Sequence, residues 1–232
     1  MAIYSELKRR VYEANQALAQ SGLVILTWGN VSEADRELGV FAIKPSGVSY
    51  DKMTADDMVI VSLETGEKLD GRMRPSSDVM THYMLYRAFE RVGGICHCHS
   101  SFATAFAQAG VAIPSLGTTH ADVFYNDVPL TRKLTQKEID GDYEAETGVV
   151  IIEAFEGRDP QAAPAVLVRQ HGPFAWGKDG MESVEHAMVL EQVAKIAWLQ
   201  KALDPEWTAL DSGLRDKHFF RKHGAKATYG QP

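Results

Sequence analysis

Three β-type runs, GLVILT at 22–27, GVFAIK at 39–44 and DMVIVSL at 57–63, follow one another with only turn-rich segments between them. Parallel strands need crossover connections, usually helical, so strands spaced this closely cannot form a purely parallel sheet. Gly, Pro, Asn, Asp and Ser punctuate the boundaries. GGICHCHS at 93–100 reads as a buried strand, and VVIIEAF at 149–155 and APAVLVRQ at 163–170 as further strand candidates. Helices are interleaved. Ile3, Leu7, Val11, Ala14 and Leu18 recur at three- and four-residue steps, and Gly22 can end that helix. RPSSD at 74–78 opens a second helix running to about Arg91, with Pro75 and the Ser76 and Ser77 hydroxyls at its N-terminal cap. SFATAFAQAG is a short helix closed by Gly110, and Met181 to Ala202 is a long one with Val184, Met188, Val193 and Ile196 in apolar spacing. With no repeat, low-complexity tract or linker, a single α/β domain over 1–232 is expected.

Composition narrows the function classes. The 232 residues are 45% hydrophobic, enough to bury a substantial core. No stretch approaches eighteen consecutive apolar residues, so no membrane span is expected. Glu6, Lys8, Arg9, Arg10 and Glu13 interrupt any apolar leader, which speaks against a signal peptide. Cys96 and Cys98 are the only two cysteines, so a disulfide framework is absent and a reducing cytoplasm is the expected home. A net charge of −7 argues against nucleic acid as a partner. Locally the balance reverses: Arg215 to Lys226 carries five Lys/Arg and two His against one Asp. Such a run reads first as a solvated helix face.

His97 and His99 stand two apart inside an apolar strand, so both imidazoles project from one face and can reach one ion. Cys96 and Cys98 then point into the core as small apolar groups, badly placed for a disulfide. His171 follows AVLVRQ and precedes Gly172-Pro173, where a buried strand breaks into a loop. Three histidines and a carboxylate suit Zn²⁺, Mn²⁺ or Co²⁺, and Asp78 at the start of a helix is the carboxylate best placed to join them. TWGNVS, IKPSGVSY and RPSSD combine small residues, hydroxyls and turn amides. Gly29, Asn30, Ser46, Gly47, Ser76 and Ser77, with the charge of Lys44, can together wrap a phosphate. Neither a Walker A nor a GxGxxG pattern occurs, so nothing supports nucleotide binding. THADVFY offers His120 and Asp122 for acid/base work, and RKHGAKATYGQP offers Tyr229, although a structural role is the commoner reading of each.

In this order, LTWGNVS, IKPSGV, MTADDMV, RPSSD, GGICHCHS, GTTHAD, HGPFAWGK and DKHFFRKHGAKATYGQ resemble the L-ribulose-5-phosphate 4-epimerases of the class II aldolase/epimerase superfamily. The resemblance runs from about Leu7 to Gln231. It implies a single α/β domain with a largely antiparallel central sheet flanked by helices, assembled as a homotetramer with active sites at subunit interfaces. Metal ligands then fall on Asp78, His97, His99 and His171, and phosphate contacts on Gly29, Asn30, Ser46, Gly47, Ser76 and Ser77, with Lys44 close by. Asp122 and Tyr229 become an acid/base pair that the C-terminal tail, about 215–232, helps bring to a neighbouring subunit's site. His218 and Arg221 match further positions lining that shared site. The motif usually reads His-Thr-His where this chain has Cys98, a side chain expected to face away from the metal.

The implied reaction interconverts L-ribulose 5-phosphate and D-xylulose 5-phosphate. Since the hydrogen on C4 is not acidic, inversion there requires retro-aldol cleavage of C3–C4 and re-formation, with the metal as Lewis acid. Relatives of this kind serve L-arabinose, L-ascorbate and L-lyxose or gulonate breakdown. A class II aldolase of the L-fuculose 1-phosphate type is the competing expectation. Those enzymes carry a proton-transferring Glu at the position of Asp78. A non-catalytic zinc protein would instead close its site with four Cys/His ligands, which this chain lacks.

Overall fold

A computed structural model describes residues 2–224 together with 227 and 228. Its centre is a seven-stranded sheet of β1 (Asn30–Asp35), β2 (Val40–Ile43), β3 (Val59–Ser62), β4 (Lys68–Asp70), β5 (Gly94–His97), β6 (Ala165–Leu167) and β7 (Pro173–Gly177). The strand order is β4-β3-β2-β1-β5-β7-β6, and every pairing between these strands is antiparallel. The sheet therefore has the largely antiparallel character that was expected.

Alternation along the strands sends apolar side chains to both faces. Val31, Cys96 and Ala175 pack with α1 (Ser5–Gln20), α3 (Ser101–Ala109) and α7 (Gly180–Leu203). Phe41, Ile95, Phe174 and Trp176 pack on the opposite side with α2 (Val79–Ala88) and α6 (Tyr143–Ala154). Both cysteines are buried and free, on the face away from His97. The short helices α4 (Thr118–Ala121) and α5 (Gln136–Asp140) lie in the long connection from α3 to α6, and α8 (Ser212–His223) follows α7. No helix among the described residues is long and apolar enough to cross a membrane.

Three expectations are corrected. GLVILT is not a strand: Ile25 and Leu26 are 64% and 77% exposed, and Leu26 takes a left-handed φ of 57°. The strand lies just beyond, in the polar-looking NVSEAD, because partners far away in sequence satisfy its polar groups. Ser32 Oγ meets both His82 Nδ1 and Tyr86 Oη at 2.7 Å. The Glu33 carboxylate accepts from Arg10 Nε at 2.6 Å and from the Gly180 amide at 3.0 Å. Val149 to Ala154 of VVIIEAF lie in α6, whose first turn is capped by the Asp142 carboxylate accepting from the Ala145 amide at 3.3 Å. A short apolar run has no periodicity that separates a buried strand from a buried helix, and here the cap decides. Finally, α2 starts at Val79 and ends at Ala88; its N-cap position is Asp78, and neither serine hydroxyl caps it.

α6 reaches α2 because Gly148 lets the two backbones approach. A Cβ there would stand 2.6 Å from Met84 Cβ. The packing brings the first turn of α6 beside the end of the sheet where β1, β5 and β7 present Asn30, His97 and the chain leading from His171.

Candidate active site

Asn30 of β1 lies opposite His97 of β5, and His97 lies opposite Phe174 of β7, so three neighbouring strands set this corner. The His97 ring stacks on Phe174 with centroids 4.1 Å apart, and its Nδ1 donates to the Pro173 carbonyl at 2.9 Å. A carbonyl only accepts, so the neutral ring keeps its lone pair on Nε2. That atom is 3.2 Å from His99 Nε2. β5 stops at His97, yet the turn after it still returns the His99 ring to the same locus. His171 completes the group: one ring nitrogen from each histidine lies within 4.8 Å of the others. Ligands held ~2.0–2.1 Å from one tetrahedral ion stand roughly 3.3 Å apart, so the His97–His99 separation fits.

Charge suits the same use. Burial, then the neighbouring His97 and His99, pushes His171 down to about 3. Partial burial and His97 also lower His99. Both rings are therefore neutral near pH 7, the form that ligates a metal. Asp78 stands outside the 4.8 Å group. Its Oδ2 accepts from Asn30 Nδ2 at 2.6 Å and from Ser76 Oγ at 3.4 Å. Burial works to raise its carboxyl, but electrostatic interaction with the neighbouring imidazoles and the Asn30 hydrogen bond overcome this and hold it below its ordinary value.

A cavity of about 420 Å³ joins the three histidines and Asp78 to Gly29, Asn30, Lys44, Ser46, Gly47, Ser76 and Ser77. Every suggested phosphate-contact residue thus faces the space that the imidazoles face. Gly29 is needed as glycine, with φ at 120° and the position of a Cβ only 2.9 Å from the His97 carbonyl oxygen. Two turn amides are already committed: Ser46 N donates to Arg74 O at 3.0 Å and Ser76 N to Lys44 O at 2.9 Å. They stitch two cradle loops together, so side-chain groups remain for a ligand. Asn30 Oδ1 is buried and has no protein partner among the described residues. The Lys44 ammonium donates to Val48 O at 2.8 Å, and burial pushes it down to about 8.

Tyr143 and Glu144 also line the cavity. The sequence reading missed both, because placing a strand at 149–155 hid the helix that delivers them; Asp142, as an N-cap, was the available signal.

A second cluster forms elsewhere. Asp122 Oδ1 is 3.0 Å from His218 Nδ1 and 3.1 Å from Arg221 Nη2, and Oδ2 is 3.3 Å from Lys222 Nζ. Burial works to raise the Asp122 carboxyl, but hydrogen bonds from His218, Lys222 and Arg221 outweigh it and hold it low. None of the three expected residues, Asp122, His218 and Arg221, lines the cavity of their own chain. Of the basic run, Arg215 to His223 lie in α8, and Phe219 is the one residue of that helix that is buried. Tyr229 lies outside the described residues. His120 is buried, with Nε2 donating to the Asn126 carbonyl at 2.8 Å, a structural role.

The family model described as class II aldolase and adducin N-terminal domain matches residues 9–198, which span every strand of the sheet and all three histidines. The chain belongs to that family. Class II aldolases use a divalent metal, commonly Zn²⁺, and the three imidazoles fit one. Among solved structures, an L-fuculose 1-phosphate aldolase superposes with a TM-score of 0.78 at 25% identity, covering 93% of this chain and 95% of that one. An L-fuculose 1-phosphate aldolase from Glaciozyma antarctica gives 0.77 at 22%, covering 97% and 85%. The L-fuculose-1-phosphate aldolase from Thermus thermophilus gives 0.68 at 23%, covering 86% and 97%. At their lower identities, the last two show the fold alone.

Proposed function

We propose that this class II aldolase relative is an epimerase that interconverts L-ribulose 5-phosphate and D-xylulose 5-phosphate. What carries the reading is the single cavity in which three imidazoles and a hydroxyl-lined cradle face each other. That pairing suits a small phosphorylated ketose bound at both ends. Held by His97, His99 and His171, a divalent ion would supply Lewis-acid stabilisation for negative charge on the ketose oxygens.

The chain's own groups have the remaining tasks. Ser46, Ser76 and Ser77 would hold the phosphate dianion by charge-assisted hydrogen bonds, with Asn30 orienting Ser76 through its Nδ2 and Lys44 behind them. A base takes the C4 hydroxyl proton, and the C3–C4 bond breaks, leaving its electrons on the three-carbon fragment and making glycolaldehyde phosphate. The cradle keeps that aldehyde in place while it turns. The bond then re-forms on the aldehyde's other face, and the new C4 oxygen takes up a proton. Asp122 and Tyr229 would be the proton carriers, supplied to the cavity by a neighbouring copy in a homotetramer. The placement of Asp122 away from its own chain's cavity supports this sharing. An Asp78 carboxylate tied to Asn30 and kept ionised is a poor proton donor, which favours epimerisation over an aldolase that must protonate its product.

The structural likeness to an L-fuculose 1-phosphate aldolase favours a second reading, cleavage without re-formation. Product analysis separates the two. Zn²⁺-loaded protein given L-ribulose 5-phosphate should form D-xylulose 5-phosphate with no accumulating aldehyde. Release of free aldehyde from L-fuculose 1-phosphate, with the pentulose untouched, would establish the aldolase instead.

A further inference from the structure

Each histidine of the triad has a second ring nitrogen, and what that nitrogen touches determines which atom is left for a ligand. For His97 the partner is the Pro173 carbonyl. His171 has a different one: the Tyr143 hydroxyl lies 3.3 Å from its Nδ1. The two rings are close to parallel, 30° apart, with centroids 6.3 Å from each other. Tyr143 is the first residue of α6, and the preceding Asp142 caps that helix. Thr147 Oγ1 donates to the Tyr143 carbonyl at 2.8 Å, and Thr81 Oγ1 of α2 donates to the carbonyl of the next residue, Glu144, at 2.6 Å. The backbone beside this phenol is thus bonded to both helices on that face of the sheet. His171, by contrast, sits in the turn between β6 and β7, directly after Gln170 with its φ of 64°. A ring on such a turn needs an outside contact to set its orientation.

We propose that Tyr143 is a positioning residue for His171: its hydroxyl accepts the Nδ1 proton, commits the lone pair to Nε2 and turns that atom toward His97 and His99. The proposal rests on the metal reading given above and adds a residue to it. The Tyr143 hydroxyl does for His171 what the Pro173 carbonyl does for His97, with one difference. A backbone carbonyl cannot be removed by substitution, whereas a phenol can lose its oxygen alone. Tyr143→Phe therefore keeps the ring against His171 and deletes only the acceptor.

Two readouts on the full chain test this. Zinc affinity, measured by competition with a chromophoric chelator, should fall by about tenfold or more in Tyr143→Phe, the usual effect of losing such a partner. Long-range ¹⁵N–¹H spectra of metal-free wild type should show His171 as the Nδ1–H tautomer. In Tyr143→Phe, His171 should move toward a mixture, while His97 stays Nδ1–H on its carbonyl. Equal zinc affinity in the two proteins would overturn the role of Tyr143 and leave the three-histidine site standing. Wild type that takes up no zinc would instead remove the metal reading and the proposal with it. An Nε2–H His171 in wild type would overturn the proposal without any variant, whether or not Tyr143→Phe folds.

Discussion

Ser77 and Asn30 line the same cavity but differ in what else depends on them. Ser77 is exposed, so truncation disturbs little packing. Asn30 is buried and also holds Ser76 Oγ at 3.0 Å and Asp78 Oδ2 at 2.6 Å. A hydrogen bond to a charged group contributes ~1.5–3 kcal/mol, so Ser77→Ala should weaken phosphate binding by roughly ten- to a hundredfold. Asn30→Ala should weaken binding as well, by releasing Ser76 and Asp78 from their places in the cradle. Inhibition by inorganic phosphate and KM for the sugar phosphate both read this, and unchanged values in both variants would rule out the cradle. At this scale the sequence was informative where chemistry is local. HxH in an apolar strand, a histidine before Gly-Pro and three serine- or asparagine-bearing turns are visible in runs of a few residues. Tyr143 was not visible, because its importance comes from a partner 28 positions away.

Elements show the opposite limit. Helix periodicity located α1, α3 and α7 within a few residues, and β-branched runs located β2 and β3. β1 was passed over because Asn30, Ser32 and Glu33 look like surface residues until Arg10, His82 and Tyr86 are placed against them. α6 was read as a strand because an apolar run buried against a sheet carries no clear period. The contact that makes α6 a helix packed on α2 is also its weak point. At Gly148 any side chain meets Met84 Cβ, and overpacking of this kind costs ~1–3 kcal/mol. Gly148→Val, with two further methyls, belongs at the upper end, so a melting temperature lower by roughly 6–12 °C is expected. Unchanged thermal unfolding by circular dichroism would mean the two helices can separate without loss.

For the whole molecule, closely spaced strands spoke only against a purely parallel sheet, the family resemblance implied a largely antiparallel one, and all pairings between the seven strands are antiparallel. The order β4-β3-β2-β1-β5-β7-β6 was not legible, since nothing local says that a strand from residue 94 inserts beside one from residue 30. That insertion puts His97 opposite Asn30, and so places the imidazoles and the cradle in one cavity. A bound ion would also stabilise the folded chain by mass action, because only that fold assembles its ligands. The direct test is metal content after Zn²⁺ loading and exhaustive dialysis, in wild type and in His97→Asn. Wild type should retain about one ion per chain, as a three-histidine site would, and the variant should retain almost none while its circular dichroism stays that of the folded protein. Full occupancy in His97→Asn would contradict the account, because the ion would then lie elsewhere than the three imidazoles.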